Sequence, residues 1–360
     1  MSNIESGKRG VKSDELTLIA QALRVSVLAI LDESSLLARL PIAARADSGD
    51  CPDSSALERL RALAELHEVL SESGLPSTAQ LEGVPPVDEV DWERSADVLA
   101  DWARERLGLP AESDDRFTAL AEAIESRLQV DVLVEDHLDT SHAGAAITDW
   151  TFPLVFVRSS QPRPRALFTL AHELAHVLSR NGEALTFDTD LTPYNDGERL
   201  ANAFAAKLLM PTSEVRAELE GGLSPLSLAR LLIRFGVSFE SLVYRLHNLG
   251  YINYQARNKL RSEGLRGLIS AVDDSKVAKS LINRLSAPAN VEPRPPLLLA
   301  IRALEGYRRG VLSIRPLADL LGEEAERLVG RLQGGEDQYA QLASGNEDAS
   351  AVERYSGSPI

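Results

Sequence analysis

The sequence is short of the residues that build secreted or thiol-clipped scaffolds. Its single cysteine, Cys51, cannot form an intramolecular disulfide, and the lack of any Cys-x-x-Cys pair excludes a thiolate zinc clip. No run approaches the roughly 18 consecutive apolar residues of a membrane helix. The opening residues, Met-Ser-Asn-Ile-Glu-Ser-Gly-Lys-Arg, lack the apolar core of a signal peptide. The expectation is a cytoplasmic, reduced protein without a membrane partner. Positive charge is scarce as well: 38 Lys and Arg face 54 Asp and Glu, giving a net charge of -16. That balance excludes a protein that coats nucleic acid or an anionic membrane over its whole surface, and leaves room only for a local basic patch. Histidines number 6. A metal site must then be assembled from imidazole and carboxylate, so the position of each histidine carries weight.

What is abundant is Ala and Leu, which favour helices. The chain has 360 residues, 44% of them hydrophobic and 26% charged, a soluble globular balance spread over more residues than one core usually carries. Two or three domains are expected. Apolar periodicity predicts two short helices within residues 1–35 and one amphipathic helix through Leu57, Leu60, Leu63, Leu66 and Leu70. Helices follow at Trp92–Leu107 and Arg116–Leu128. Val130–Val134, Ala145–Thr148 and Leu154–Val157 read as strands. Two more helices span Arg165–Arg180 and Glu198–Met210, the second stopped by Pro211. Helix, then sheet, then helix is a helix-rich α+β pattern with a small sheet. Leu226–Phe235 and Phe239–Leu249, joined by Gly236-Val-Ser238, have the dimensions of a helix-turn-helix unit. Beyond a Pro-rich hinge at Pro288–Pro296 the chain reads as two helices to about Leu332, with Gly310–Gly322 turn-like between them, and then as a disordered tail.

The chemistry is concentrated in Ala171-His-Glu-Leu-Ala-His-Val177. His172 and His176, four residues apart, lie one above the other on a helix face and can reach one ion while the backbone stays regular. Glu173 points to the side of that pair, where it can act through a water. Such a pentapeptide also arises by chance. Here, however, Leu170, Ala171, Leu174, Ala175, Val177 and Leu178 make the helix apolar nearly all round. Polar groups in such a setting cost about 1–3 kcal/mol each unless satisfied, and a metal satisfies all three together. A catalytic zinc needs a third protein ligand and an open position. Ser179 and Gly182 exclude the pattern in which a glycine and a third histidine follow, so a carboxylate is required, from Glu183, Asp188, Asp190, Asp196 or Glu198. Glu198 is the best placed of these, because it opens a helix that can pack antiparallel to the first. Asn202, one turn later, is positioned to accept the outer N–H of a ligating histidine.

Phe168-Thr-Leu-Ala-His-Glu-Leu-Ala-His176 followed by Glu198-Arg-Leu-Ala-Asn-Ala-Phe-Ala-Ala-Lys-Leu-Leu-Met-Pro211 resembles the ImmA/IrrE family of metallopeptidases. The resemblance covers about Trp92 to Tyr254 and departs at Arg158, where the strand before the active helix often ends in Asn. It implies a zincin-like fold, Zn2+ as cofactor, His172, His176 and Glu198 as metal ligands, and Glu173 as the catalytic general base. In the mechanism so implied, Glu173 takes the proton of a water activated by zinc and returns it to the leaving amine. The strand Leu154–Val157 is expected to pair with an extended substrate at its edge.

Residues 4–31 are similar to the second half of an XRE-type helix-turn-helix domain, without the recognition helix that reads the major groove. The organisation expected is therefore a partial XRE-type segment at 1–35, a helical connector at 36–90, and a zinc metallopeptidase domain at 91–255 that includes the helix-turn-helix-like unit. A helical region at 256–333 and an acidic tail at 334–360 complete it. Arg245, His247, Arg257, Lys259 and Arg261 make the helix-turn-helix-like unit a candidate DNA reader, although a solvated extension of the peptidase domain is the preferred reading. The resemblance implies a zinc endopeptidase whose partner is a protein substrate, an XRE-family repressor, in stress or mobile-element regulation. The alternative is a DNA-binding transcription regulator or antitoxin-like protein that keeps the peptidase fold as sensor or scaffold. DNA is not the favoured partner, and the N-terminal segment is a candidate homodimer contact.

Overall fold

The computed structural model describes residue 12 and residues 54–88, 90–110, 113–136, 142–179, 185–189, 196–286 and 290–334. The XRE-like segment, Cys51 and the tail beyond residue 334 lie outside them. The chain divides into two compact units, Met1–Pro76 and Ser77–Ile360. The first contributes one described helix, α1 (Ser54–Glu72), whose Leu57, Leu60, Leu63, Ala64 and Leu70 are buried at helical spacing.

The second unit is a helix-rich α+β structure. It opens with α2 (Trp92–Leu107), begun by the Asp91 side chain accepting from the Arg94 N–H and ended by Gly108 in the left-handed region. Helix α3 (Arg116–Ala123) runs into a single π-turn, Ile124–Leu128, which stops at Gln129 with φ 53°. Four strands follow: β1 (Asp131–Glu135), β2 (His142–Ile147), β3 (Leu154–Arg158) and, after the long helix α4 (Arg163–Ser179), β4 (Leu185–Thr189). Their order is β1-β3-β2-β4, with β1 and β3 parallel and the other pairs antiparallel.

This order corrects the expectation that Leu154–Val157 offers its edge to a substrate. Strand β3 is interior, paired on both sides. Its near-continuous apolar run, Leu154-Val-Phe-Val157, suits a strand enclosed between neighbours. At the β1 margin, Val134 and Arg294 exchange both backbone hydrogen bonds at 2.9 Å, so a later segment of the chain covers that edge. Among the described residues no strand pairs with the outer side of β4.

Helix α4 lies on β2 and β3 and buries every residue from Ala166 to Leu178 except the half-buried Phe168. On α4 packs α5 (Asp196–Leu209), which presents Leu200, Ala201, Phe204, Ala205 and Leu208 inward and also contacts α2. Short α6 (Thr212–Glu218) leads to α7 (Pro225–Phe235) and α8 (Phe239–Asn248). A Ser224–Ser227 capping box with Pro225 at the first turn starts α7, and Gly236 at φ 66° ends it. An added Cβ at Gly236 would lie 3.1 Å from Arg116, so the turn is closed against α3. Five further helices follow: α9 (Tyr254–Ala271), α10 (Ser275–Ser286), α11 (Leu297–Arg308), α12 (Ile314–Leu321) and α13 (Ala325–Gly334). Helix α12 occupies the stretch that reads as a turn in sequence.

The N-terminus of α11 is held on β1 by two buried acids. Asp131 accepts from the backbone N–H groups of Leu298 (2.9 Å) and Leu299 (3.2 Å), and Glu125, in the π-turn, accepts from those of Val132 and Leu297 and pairs with Arg294. These bonds meet donors that a helix start leaves over. Burial, reinforced by the neighbouring Glu125, pushes the Asp131 carboxyl up to about 7, and burial raises Glu125 in spite of Arg294.

Candidate metal centre

Helix α4 positions His172, Glu173 and His176, and the first turn of α5 positions Glu198. His172 Nε2 and His176 Nε2 are 3.1 Å apart. Glu198 spans the pair, with one oxygen 3.2 Å from His172 Nε2 and the other 3.4 Å from His176 Nε2. Among the described residues these three form the group of donors that could hold a metal ion. Of the other carboxylates considered from sequence, Asp196 is not brought to it. Asp196 is exposed and pairs with Arg199, while Glu183, Asp190 and the Asp188 side chain lie outside the described residues.

The chemistry and spacing of the donors fit zinc. Bonds of about 2.0–2.1 Å directed to the corners of a tetrahedron place neighbouring donors about 3.3 Å apart. The two imidazole nitrogens, 3.1 Å apart, each with a different Glu198 oxygen beside it at 3.2 and 3.4 Å, are close to that spacing. Two imidazoles and one carboxylate use three corners and leave a fourth. Electrostatics agree with this closeness: burial alone would raise the Glu198 carboxyl, but hydrogen bonds and charge from the two imidazoles hold it far below the usual carboxylate range.

The supporting structure was only partly visible in sequence. Glu173 is fully buried beside β2, where an added Cβ on Gly144 would fall 2.7 Å from Glu173 Oε1 and 2.5 Å from Thr169 Cγ2. A side chain at 144 would occupy the space of the general-base candidate, and a glycine inside a strand is the sequence signal of such an approach. The register of β2 against β4 shifts between His142 and Ala145, at this glycine. Next to it, buried Gln161 donates to the Ala143 carbonyl at 3.0 Å and accepts from Thr169 Oγ1 at 3.4 Å, tying β2 to α4 one turn before His172. At the other end of the helix the Trp150 indole donates to the Val177 carbonyl at 2.9 Å.

Two sequence expectations are corrected here. Asn202 is exposed and makes no hydrogen bond to either histidine. Four residues along α5 shift it by about 6 Å and some 40°, which turns it to solvent. Arg245 is not part of a solvent-facing basic cluster. It is 6% exposed, donating from Nε to the Met210 carbonyl (3.1 Å) and from Nη2 to Thr212 Oγ1 (3.0 Å), so it pins α8 to the start of α6.

Comparison with known proteins adds to this geometry. No curated protein matches the chain. A solved structure described as a Mycobacterium tuberculosis transcriptional regulator is similar at 19% identity and a TM-score of 0.31, and the chain spans about half of it, with 52% of each covered. Among the described residues no helix is long and apolar enough to cross a membrane. Residues 126–247, a stretch that holds both histidines, Glu173 and Glu198, match the family model of the IrrE N-terminal-like domain, Peptidase M78.

Proposed function

We propose that the protein is a cytoplasmic zinc-dependent endopeptidase acting on a protein substrate. The observation that carries this reading is the convergence of His172, His176 and Glu198, one ligand atom from each lying within 4.8 Å of the others. When bound, zinc polarises a peptide carbonyl and lowers the pKa of a water toward about 7. The two histidines and Glu198 hold it from two packed helices, which keeps the donors rigid. Glu173, buried against Gly144, takes the proton from the attacking water and delivers it to the leaving amine. The outer side of β4, where no described strand pairs, is the edge on which an extended substrate segment adds. The resemblance to ImmA/IrrE peptidases makes an XRE-type helix-turn-helix repressor the substrate proposed.

The purified protein should hold about one zinc per chain by elemental analysis. His172→Ala and Glu198→Ala should lose the metal. Glu173→Gln should keep it and lower the cleavage rate of the repressor by about 10²–10⁴. Full cleavage by Glu173→Gln would sink the proposal. Metal retention with no cleavage by the unaltered protein would leave the donors as an inert structural or sensing site.

A further inference from the structure

The chain has few aromatics and exposes them in one place. Among the described residues the exposed large aromatics are Tyr244 (38%), Tyr251 (36%) and Tyr254 (61%), on α8, in the following turn and at the start of α9. Arg257 lies over both Tyr254 (4.6 Å to the ring centre) and Tyr244 (5.3 Å), and Arg261 lies over Tyr244 at 5.1 Å. Tyr254, Arg257 and Arg261 therefore form one stripe along α9, facing Tyr244 across the packed pair of helices. Arg261 also pairs with Glu240, but among the described residues no carboxylate pairs with Arg257. Its half-buried guanidinium lies over two rings and donates to the Tyr254 hydroxyl. Exposed Lys259 lies round the far side of α9 and pairs with Glu263, and Arg266 follows a break in the helix at Gly264, so the stripe itself consists of Tyr254, Arg257 and Arg261. Between residues 244 and 266 the only acid is Glu263, in a chain whose net charge is -16.

We propose that this α8–α9 face binds single-stranded nucleic acid, with phosphates taken by Arg257 and Arg261 and bases stacked on Tyr254 and Tyr244. Guanidinium groups beside exposed ring faces are the combination that holds an unpaired strand, because every base has a face to stack and every nucleotide a phosphate. Charge alone would serve an acidic peptide equally well, but it would not require rings left in solvent. Groove reading of a duplex is disfavoured by the same residues. The first turn of α8, the part of a second helix that would meet base edges, carries Phe239 and Glu240, and Arg245 is spent inside the fold. The stripe from Tyr254 to Arg261 is about 10 Å long, so binding is short-range and falls as salt is raised.

Fluorescence anisotropy of the full chain with a fluorescein-labelled dT12 or dA12 strand at low salt tests this. Binding should be tighter to the single strand than to a blunt duplex of equal length and should weaken with added salt. Tyr254→Ala should cut affinity roughly 5- to 100-fold, and Arg257→Gln should cut it while flattening the salt dependence. Both side chains are at the surface, so an unchanged melting temperature and unchanged zinc content certify the variants as folded. Absence of binding, equal affinity in Tyr254→Ala, preference for the duplex, or equal competition by poly-glutamate would each overturn the proposal. None of these readouts depends on whether the metal centre is catalytic.

Discussion

Two clusters of buried polar side chains in the same unit solve the cost of burial in opposite ways. At the foot of α11, Glu125 and Asp131 are surrounded by the protein's own counter-groups: Arg294, and the backbone N–H groups of Val132, Leu297, Leu298 and Leu299. In the other cluster His172, His176 and Glu198 converge on one another, donor atom to donor atom. The first arrangement is complete and serves docking of a helix. The second gathers lone pairs around a point, an arrangement that could hold a cation. Buried polar residues thus mark function where they face each other and architecture where they face the backbone.

The largest test of the contrast is to remove one partner from the complete cluster. Arg294→Ala leaves Glu125 buried without its cation and should destabilise the fold by about 3–5 kcal/mol, read from urea unfolding. Replacing Glu125 and Arg294 together by methionine should recover most of that loss. The metal cluster should respond in the reverse sense. In a Glu198→Met background, so that no carboxylate is left without the imidazoles that hold it, His172→Leu with His176→Leu should leave the metal-free protein as stable as before, or more so, since buried polar groups are exchanged for apolar ones. The same pair should abolish the stabilisation by zinc, about 3–4 kcal/mol at roughly a hundred- to thousand-fold excess over Kd, in thermal melts with and without a chelator. If zinc still stabilises that variant, the donors assigned here do not hold it.

Smaller effects sharpen the comparison. Gly144→Ala places a methyl group where Glu173 and Thr169 now lie and should cost about 1–3 kcal/mol, with zinc content unchanged because the three donors are not displaced. The Asp131 carboxyl, at about 7 in the fold against 3.8 as a free side chain, holds its proton more tightly when folded. Its contribution to stability is therefore fully present below about 4 and lost as pH rises toward 7. Unfolding between pH 5 and 8 should show a decline on the order of 2–3 kcal/mol that Asp131→Asn flattens. A pH profile identical in the variant would show that the helix start, not protonation, sets the balance there.

The elements that sequence reveals best are those whose signal is local. The α2 bounds, Trp92–Leu107, and the α7 and α8 pair follow from apolar period and from the Asp91, Ser224 and Ser238 caps. His172 and His176 are legible because one helix fixes their relation, and Glu198 because a second helix begins there. What is hidden is set across distance. The interior place of β3 depends on strand order, which no stretch of sequence encodes by itself. Strand β4 has the alternation of Leu185-Thr-Phe-Asp-Thr189 but only five residues of it, between loop-like flanks. The π-turn at Ile124–Leu128 continues a helical pattern, so its extra residue per turn leaves no mark. Arg245 reads as a surface cation because its acceptors, the Met210 carbonyl and Thr212, are 35 and 33 residues away.

The closed margin of the sheet has one more implication. Exchange of hydrogen bonds between Val134 and Arg294 gives β1 a neighbour from its own chain at that residue, which obstructs strand addition on that side. A second molecule, or a stray peptide, meets an occupied position there. Among the described residues the sheet is in this sense one-ended: an incoming strand meets a neighbour from the chain itself at β1 and no described strand at β4.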